Sequence, residues 1–234
     1  MLSAQQVEID KLSERSRAGE PQSLLDELQA LNIRNLDSLH CRGSVLFAEG
    51  ETARGVYILR TGRATVSISS SEGRVVILRM VEGGDVLGLN AVLQNSLHEA
   101  TVKILKPSRA SFIPRAELME LIENSESAAS VVINLLSREL AQLTERARLL
   151  LLPQTARARL AYLLLQLSKQ PQGGSGPRVI TRVFTHEEVA QMIGSSRETV
   201  TRSLASLTRR QIIHITSDSI LIRDRSALEE MVRS

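Results

Sequence analysis

The segment FTHEEVAQMIGSSRETVTRSLASLTRR constrains the fold more strongly than any other part of the chain. Thr185 with Glu188 three positions later is a capping box, a pair that opens a helix. Ser195 with Glu198 repeats the pattern shortly afterwards, and Gly194 between them is a residue that ends helices. The segment therefore predicts two short helices joined by a tight turn.

The residues around the second helix extend this prediction. Val200, Leu204 and Leu207 form an apolar stripe that turns inward at helical spacing. Downstream, the apolar runs IIHI and ILI flank a turn near Thr216 to Asp218, which indicates a hairpin. Two helices joined by a tight turn and followed by a hairpin are typical of a winged helix-turn-helix, which binds the DNA major groove.

The outward face of the second helix carries side chains suited to base edges. They are Arg197, Glu198, Thr201 and Arg202. Arginine can donate two hydrogen bonds to guanine, and glutamate can accept one from cytosine. Ser196 and Thr199 stand where a helix start binds phosphate. For each residue alone, a solvated face or a helix cap is the alternative interpretation.

Charge is distributed unevenly along the chain. Residues 1–153 contain 17 Lys and Arg against 19 Asp and Glu, whereas residues 154–234 contain 12 against 7. A basic C-terminal third is typical of a DNA-binding domain joined to a regulatory domain.

A heptad pattern precedes this region. Apolar residues alternate at spacings of four and three: Ala129, Ile133, Leu136, Leu140, Leu143, Ala147 and Leu150. Such a narrow seam predicts a long helix that pairs with its own copy. The alternative is that the stripe packs on the chain's own β domain. Pro153 interrupts the pattern and predicts a hinge.

Residues 43–113 have a different character, with short β-rich runs separated by glycine-containing turns. This spacing predicts an antiparallel barrel or roll. Before it, the leucines of SLLDELQAL predict one amphipathic helix.

Several classes of protein are excluded. No apolar run approaches the roughly 20 residues of a membrane span, and the charged N-terminus lacks a signal peptide, so we expect a cytoplasmic protein. Cys41 is the only cysteine, which excludes an internal disulfide, a Cys-rich zinc site and an iron–sulfur cluster held by several cysteines. We expect Cys41 to be a small buried residue. No metal-ligand spacing, phosphate loop or nucleophile–base pair is present, so we do not expect an enzyme.

Residues 24–231 resemble the Crp–Fnr superfamily of bacterial regulators, most specifically in GSSRETVTR. The resemblance implies an α+β fold with an N-terminal cyclic-nucleotide-binding-like β-roll, a long dimerisation helix and a C-terminal winged helix-turn-helix. The expected boundaries are a flexible 1–20, the roll at 21–115, the dimer helix at 116–152 and the DNA-binding domain at 153–234. It also implies a homodimer, a palindromic DNA site and RNA polymerase as a partner.

The resemblance also assigns roles to residues. Arg197, Glu198 and Arg202 match the base-contacting positions of the cyclic-AMP receptor branch, which implies a TGTGA-like half-site. His186, Ser196 and Thr199 match phosphate-contacting positions.

The effector pocket departs from the family pattern. Gly88 is present, but Leu89 replaces a ribose-binding Glu, and His98-Glu99-Ala100 replaces the phosphate-binding Arg-Ser-Ala. Thr144 matches an adenine-contacting Thr, although its neighbour is Glu145. An anionic phosphate would lose its cation and meet a carboxylate, so we do not expect ordinary cyclic AMP.

Three alternatives for the signal stay open. The pocket binds another ligand through residues such as His98, Glu99 and Thr144. It binds haem through a histidine, with His40, His98 and the nearby Cys41 as the available ligands. Or it is vestigial in an effector-independent regulator. A ligand-binding signalling subunit that does not touch DNA is the competing function class.

Overall fold

A computed structural model of the protein describes residues 36–168, 178–181, 184–216 and 219–233. The predicted N-terminal tail, the leucine-rich helix and the centre of the hairpin turn lie outside the described residues. So does the segment PQGGSGP at 171–177, whose composition is typical of a loop.

An antiparallel sheet forms the N-terminal part of the chain, as predicted. Its strands are β1 Leu36–His40, β2 Val45–Phe47, β3 Gly55–Ser69, β4 Val75–Glu82, β5 Val86–Leu87 and β6 Thr101–Pro114, with helix α1 at Leu89–Gln94. The order is β1-β6-β3-β4, while β2 pairs with β6 and β5 with β3. In the β1–β6 register, Leu36 lies opposite Phe112, and His40 lies opposite Ser108.

The remaining elements are mostly helical. They are α2 Arg115–Asn124, α3 Glu126–Leu151, α4 Ala156–Leu167, α5 His186–Ile193, α6 Arg197–Arg209 and α7 Arg225–Arg233, with strands β7 Arg178–Thr181, β8 Ile213–Ile215 and β9 Ser219–Ile222. Strand β9 pairs antiparallel with both β7 and β8. The sequence predicted β8 and β9 but not β7, because the run RVIT is short and follows a loop-like stretch. The observed architecture is the predicted α+β fold.

The chain divides into two compact units. The first contains the described residues up to Ala64, with Val81–Glu99 and Ile104–Glu139; the second contains Thr65–Met80, Ala100–Lys103 and the residues from Leu140 onward. Both cores are aliphatic, as they must be in a chain with only 2% aromatic residues. In the first, Val56, Ile58 and Ile113 pack with Leu118 and Leu121, and all five are almost fully buried.

Helix α3 carries the predicted seam. Its buried side is formed by Ala128, Val132 and Leu149. On the seam, Ile133 is 62% exposed, Leu140 67% and Leu143 42%. The single chain thus leaves part of an apolar heptad stripe in solvent.

The prediction that Cys41 is buried is wrong, because its side chain is exposed. Cys41 follows β1 at the start of a turn, where its carbonyl accepts hydrogen bonds from the backbone N–H of Ser44, at 3.1 Å, and from the Ser44 hydroxyl, at 2.7 Å. The turn fixes the backbone of Cys41 at the surface, where the side chain has no core to enter.

Candidate nucleic-acid interface

The first helix of the predicted pair begins with the expected capping box. Thr185 Oγ1 accepts a hydrogen bond from the Glu188 backbone N–H at 3.2 Å, and Glu188 Oε2 accepts one from the Thr185 backbone N–H at 2.7 Å. Helix α5 ends at Gly194, which has a left-handed conformation with φ of +59°. Both sequence predictions for this helix are confirmed.

The second helix begins one residue later than predicted. Its N-cap is Ser196, whose Oγ accepts from the Thr199 backbone N–H at 3.3 Å. Ser195 instead donates its backbone N–H to the Ala190 carbonyl at 2.9 Å, so it still belongs to the turn that closes α5. The second capping box was therefore misplaced, and Glu198 occupies the second helical position of α6.

The inward stripe of α6 is confirmed. Val200 and Leu207 are fully buried, and Leu204 is 5% exposed. They share a core with Ala190 and Ile193 of α5, so the two helices are held together by apolar packing. This packing fixes which face of α6 points outward.

The four predicted base-contacting residues all lie on that outward face and are exposed: Arg197, Glu198, Thr201 and Arg202. Thr201 Oγ1 donates to the Arg197 carbonyl at 2.9 Å and lies 2.9 Å from His186 Nδ1. His186, a predicted phosphate contact at the start of α5, is thereby joined to the recognition face of α6.

Glu198 is held in its ionised form. Hydrogen bonds from its own backbone N–H and from the Ser196 hydroxyl lower the pKa of its carboxyl, and Arg197 and Arg202 act in the same direction. An ionised carboxylate only accepts hydrogen bonds, which suits a cytosine amino group.

The start of α6 has the composition of an anion site. The hydroxyls of Ser196 and Thr199 lie 3.0 Å apart, and Arg202 Nη2 approaches Thr199 Oγ1 at 3.5 Å. Two hydroxyls, a guanidinium and a helix N-terminus are groups that bind phosphate.

Two arginines support the turn between the helices and were missed by sequence reasoning. Arg159 of α4 donates from Nε to the Ile193 carbonyl at 2.7 Å, and Arg74 donates from Nη2 to the Gly194 carbonyl at 2.5 Å. Both belong to the second unit. In the sequence they look like ordinary solvated charges, because nothing local links them to a turn so distant along the chain.

The effector-pocket candidates occupy different environments. Leu89 is buried in the core of the first unit, and its side chain has no polar group. His98 is 5% exposed, and its ring stacks on Phe47 with centroids 3.8 Å apart. It also lies against Gly88, where an added Cβ would sit 2.8 Å from the His98 ring.

Glu99 and Thr144 are both exposed. Glu99 accepts a short hydrogen bond from the Asn90 side chain. Thr144 belongs to the second unit, where its hydroxyl donates to the Leu140 carbonyl at 2.9 Å. Burial lowers the pKa of His98, so its ring does not supply the permanent cation that an Arg would provide.

Neither a metal cluster nor a membrane helix is found in the part of the chain that the structure describes. No group of three or more His, Cys, Asp or Glu there could hold a metal ion. None of its helices is long and apolar enough to cross a bilayer.

Comparison with known protein families finds two domains along the chain. Residues 158–231 match the Crp-like helix-turn-helix domain, and residues 40–125 match the cyclic nucleotide-binding domain. The chain belongs to the Crp–Fnr superfamily. The curated relatives that align along most of the chain, such as the regulator from Mycobacterium tuberculosis, are transcription regulators. The helix-turn-helix of this chain is of the DNA-binding type.

Several Crp–Fnr relatives align along most of the chain. A CRP-like cAMP-activated global transcriptional regulator from Mycobacterium tuberculosis is 29% identical over 194 residues, which is 82% of this chain and 86% of that protein. A CRP-family regulator structure from Thermus thermophilus is 26% identical, covers 84% of this chain and 97% of its own, and has a TM-score of 0.66. The structure of FixK2 from Bradyrhizobium japonicum shares the fold, with 21% identity and a TM-score of 0.70. The match covers 85% of this chain and 98% of the FixK2 chain.

Proposed function

We propose that this Crp–Fnr member is a homodimeric, sequence-specific regulator that binds a palindromic, TGTGA-like DNA site in the major groove. The observation that carries the proposal is the outward face of α6. Arg197, Glu198 and Arg202 are exposed there at fixed helical spacing, on a helix whose opposite face is buried.

The assignment of bases follows from donor and acceptor chemistry. Arg197 and Arg202 each present a fork of N–H donors that matches guanine O6 and N7. Glu198, ionised and at the helix start, accepts from a cytosine amino group. His186, Ser196 and Thr199 contact the phosphates that flank these bases and set the register of the helix.

The proposal includes a homodimer built on α3. Ile133, Leu140 and Leu143 expose large apolar side chains along one heptad stripe. Burying such side chains against a second copy gains about 25 cal/mol for each Å² removed from water. A two-fold dimer places two recognition helices in successive major grooves, which explains a palindromic site.

The signal that controls binding is not ordinary cyclic AMP. Leu89 is buried in the core, burial favours the neutral form of His98, and Glu99 adds an exposed carboxylate in the stretch that resembles the phosphate-binding Arg-Ser-Ala. Although the M. tuberculosis relative is named as cAMP-activated, these residues favour a different ligand or none. RNA polymerase is the expected partner on DNA.

A salt-titrated binding assay tests the proposal. A labelled duplex with a TGTGA palindrome and a scrambled duplex of equal composition are titrated with the protein at several salt concentrations, with and without cyclic AMP. We expect tighter binding to the palindrome at every salt concentration and no change on adding cyclic AMP. Equal affinity for both duplexes would contradict DNA sequence recognition, and strong activation by cyclic AMP would contradict the effector assignment alone.

A further inference from the structure

The carboxylate of Glu145, near the end of α3, accepts hydrogen bonds from three side chains of the second unit. The Tyr162 hydroxyl donates to Glu145 Oε2 at 2.9 Å, and Gln166 Nε2 donates to the same oxygen at 3.3 Å. Arg148 Nη1 donates to Oε1 at 3.0 Å. Both oxygens of the carboxylate are thus engaged, and two of the donors come from α4. We call Glu145, Tyr162 and Gln166 the Glu145 clasp.

The Glu145 clasp crosses the hinge that Pro153 predicts. Glu145 precedes Pro153 in the chain, whereas Tyr162 and Gln166 follow it. These two donors are four residues apart on α4, so they lie on the same face of that helix. On the same helix, Arg159 donates from Nη1 to the Pro153 carbonyl at 3.4 Å. Side chains of α4 therefore bind both the hinge and the helix before it.

Helix α4 is part of the core that carries the recognition helix. Leu160 is fully buried, Leu164 is 3% exposed, and both belong to the same apolar cluster as Val200 of α6. Arg159 also donates from Nε to the Ile193 carbonyl at the end of α5. Because α4 packs with α5 and α6 in this way, a contact that orients α4 against α3 also orients the recognition helix.

Apolar packing alone fixes the end of α3 only in part. Leu149 is buried in that core, whereas Leu151 and Leu152 are 77% and 70% exposed. Apolar contacts have little directional preference, but hydrogen bonds require a defined geometry. Burial and the hydrogen bond to Glu145 raise the pKa of Tyr162, so its hydroxyl keeps its proton and remains a donor. The Glu145 clasp can therefore select one angle between the two helices.

We propose that Glu145 is a positioning residue for DNA binding. Its hydrogen bonds to Tyr162 and Gln166 set the direction of α4, and with it α6, relative to the end of α3. The inference rests on the proposed function, because this direction matters when two recognition helices must reach both halves of a palindrome. One recognition helix can bind a single half-site whatever its direction relative to α3.

The test compares two duplexes of equal length, one with the TGTGA palindrome and one with a single half-site. The full chain, Glu145→Gln, Tyr162→Phe and the double variant are titrated with each duplex. Glu123→Gln removes the same charge at an exposed glutamate of α2 and is the matched control. The ratio of the two affinities cancels the general effect of protein charge on DNA binding.

In each single variant, the preference for the palindrome should fall about threefold or more, the size expected for an exposed charge-assisted hydrogen bond. The double variant should lose no more than the weaker single variant, since both changes remove one contact. Affinity for the single half-site should stay the same, and Glu123→Gln should keep the full preference. An unchanged preference in Glu145→Gln, additive losses, or equal losses on both duplexes would overturn the proposal.

Amide hydrogen exchange without DNA tests the Glu145 clasp independently of the proposed function. The Leu152 N–H donates to the Arg148 carbonyl at 3.1 Å, next to the hinge. Glu145→Gln should speed exchange at residues 151–156 and leave the amides around Val200 unchanged. No change at the hinge, or equally faster exchange in α6, would overturn the proposal. If the unchanged protein shows no preference for the palindrome, the proposed function fails, whereas the exchange pattern still decides whether the Glu145 clasp holds the hinge.

Discussion

At the scale of single residues, the proposed DNA recognition depends on side chains that the fold exposes and orients. Arg197 and Glu198 are adjacent in the sequence, but their expected roles differ, because one donates and the other only accepts. The ionised state of Glu198 and the exposure of Arg197 make each role testable by a single substitution.

Arg197→Ala should weaken DNA binding and relax discrimination at one guanine by about 1–3 kcal/mol, because a bidentate contact to that base is lost. The measurement is binding to the palindrome and to duplexes changed at each position in turn. Arg210→Ala, at an exposed arginine beyond the C-terminal end of α6, is the control and should leave discrimination unchanged. A uniform loss over all duplexes would show that Arg197 contacts only phosphate.

The variant Glu198→Ala tests whether the Glu198 side chain contacts a base or only caps the start of α6. If Glu198 accepts from cytosine, the variant should lose preference at one base pair by about 1–3 kcal/mol. A loss that is equal on all sequences, accompanied by a lower melting temperature, would contradict base contact and leave capping as its role.

His98 predicts a pH dependence of stability. Burial lowers the pKa of its ring, whereas the unfolded chain protonates near the ordinary value of about 6.5. The unfolded state therefore binds more protons than the folded state in that range, so the free energy of unfolding falls as the pH drops through about 6.5. The melting temperature should fall more between about pH 7.5 and pH 5.5 in the unchanged protein than in His98→Gln. His214→Gln, at an exposed histidine of the second unit, should behave like the unchanged protein.

At the scale of secondary-structure elements, the turn between α5 and α6 sets the angle of the recognition helix. Gly194 provides the left-handed conformation, and Arg159 and Arg74 bind the carbonyls of the turn from other elements. The turn is thus fixed both by its own backbone and by side chains distant in sequence.

Gly194→Ala should destabilise the second unit by about 1 kcal/mol, since only glycine adopts a left-handed conformation without cost. Steric overlap does not contribute, because the nearest atoms to an added Cβ lie 3.6 Å away. Gly194→Asn should cost less, because asparagine tolerates this region. Equal losses in the two variants, measured by denaturant unfolding, would show that backbone conformation is not the cause.

Patterns among neighbouring residues in the sequence predicted the helices and strands well. They did not predict the contacts with distant residues that hold these elements in place. The capping box at Thr185, the stripe at Val200 and the hairpin after α6 were visible because each depends on residues close together in sequence. The start of α6 was misplaced by one residue because adjacent serines offer two equivalent caps in the sequence. In the structure, Ser195 N–H binds the Ala190 carbonyl, while Ser196 Oγ accepts from the Thr199 N–H. The contacts of Arg74 and of Glu145 were not foreseen, since both join distant segments.

At the scale of the whole molecule, the central expectation is a dimer that presents two recognition helices. Leu140→Glu places a charge in the exposed seam of α3 and should dissociate the dimer, because an unpaired charge at a buried interface costs several kcal/mol. Sedimentation should show a monomer. Asn134→Glu, at an exposed position off the seam of the same helix, is the control. If the Leu140→Glu variant formed a dimer of unchanged stability, the seam of α3 would not be the dimer interface.

The spacing of half-sites tests this arrangement most directly. Two TGTGA half-sites in inverted orientation are placed one helical turn apart, about 10 base pairs between centres, or with about 5 further base pairs inserted between them. A two-fold dimer reaches both half-sites only when they face the same side of the duplex. We predict tight binding to the first duplex. The affinity for the second duplex should fall to that for a duplex with a single half-site. Equal binding to both duplexes would contradict a homodimer that contacts a palindrome through paired α6 helices.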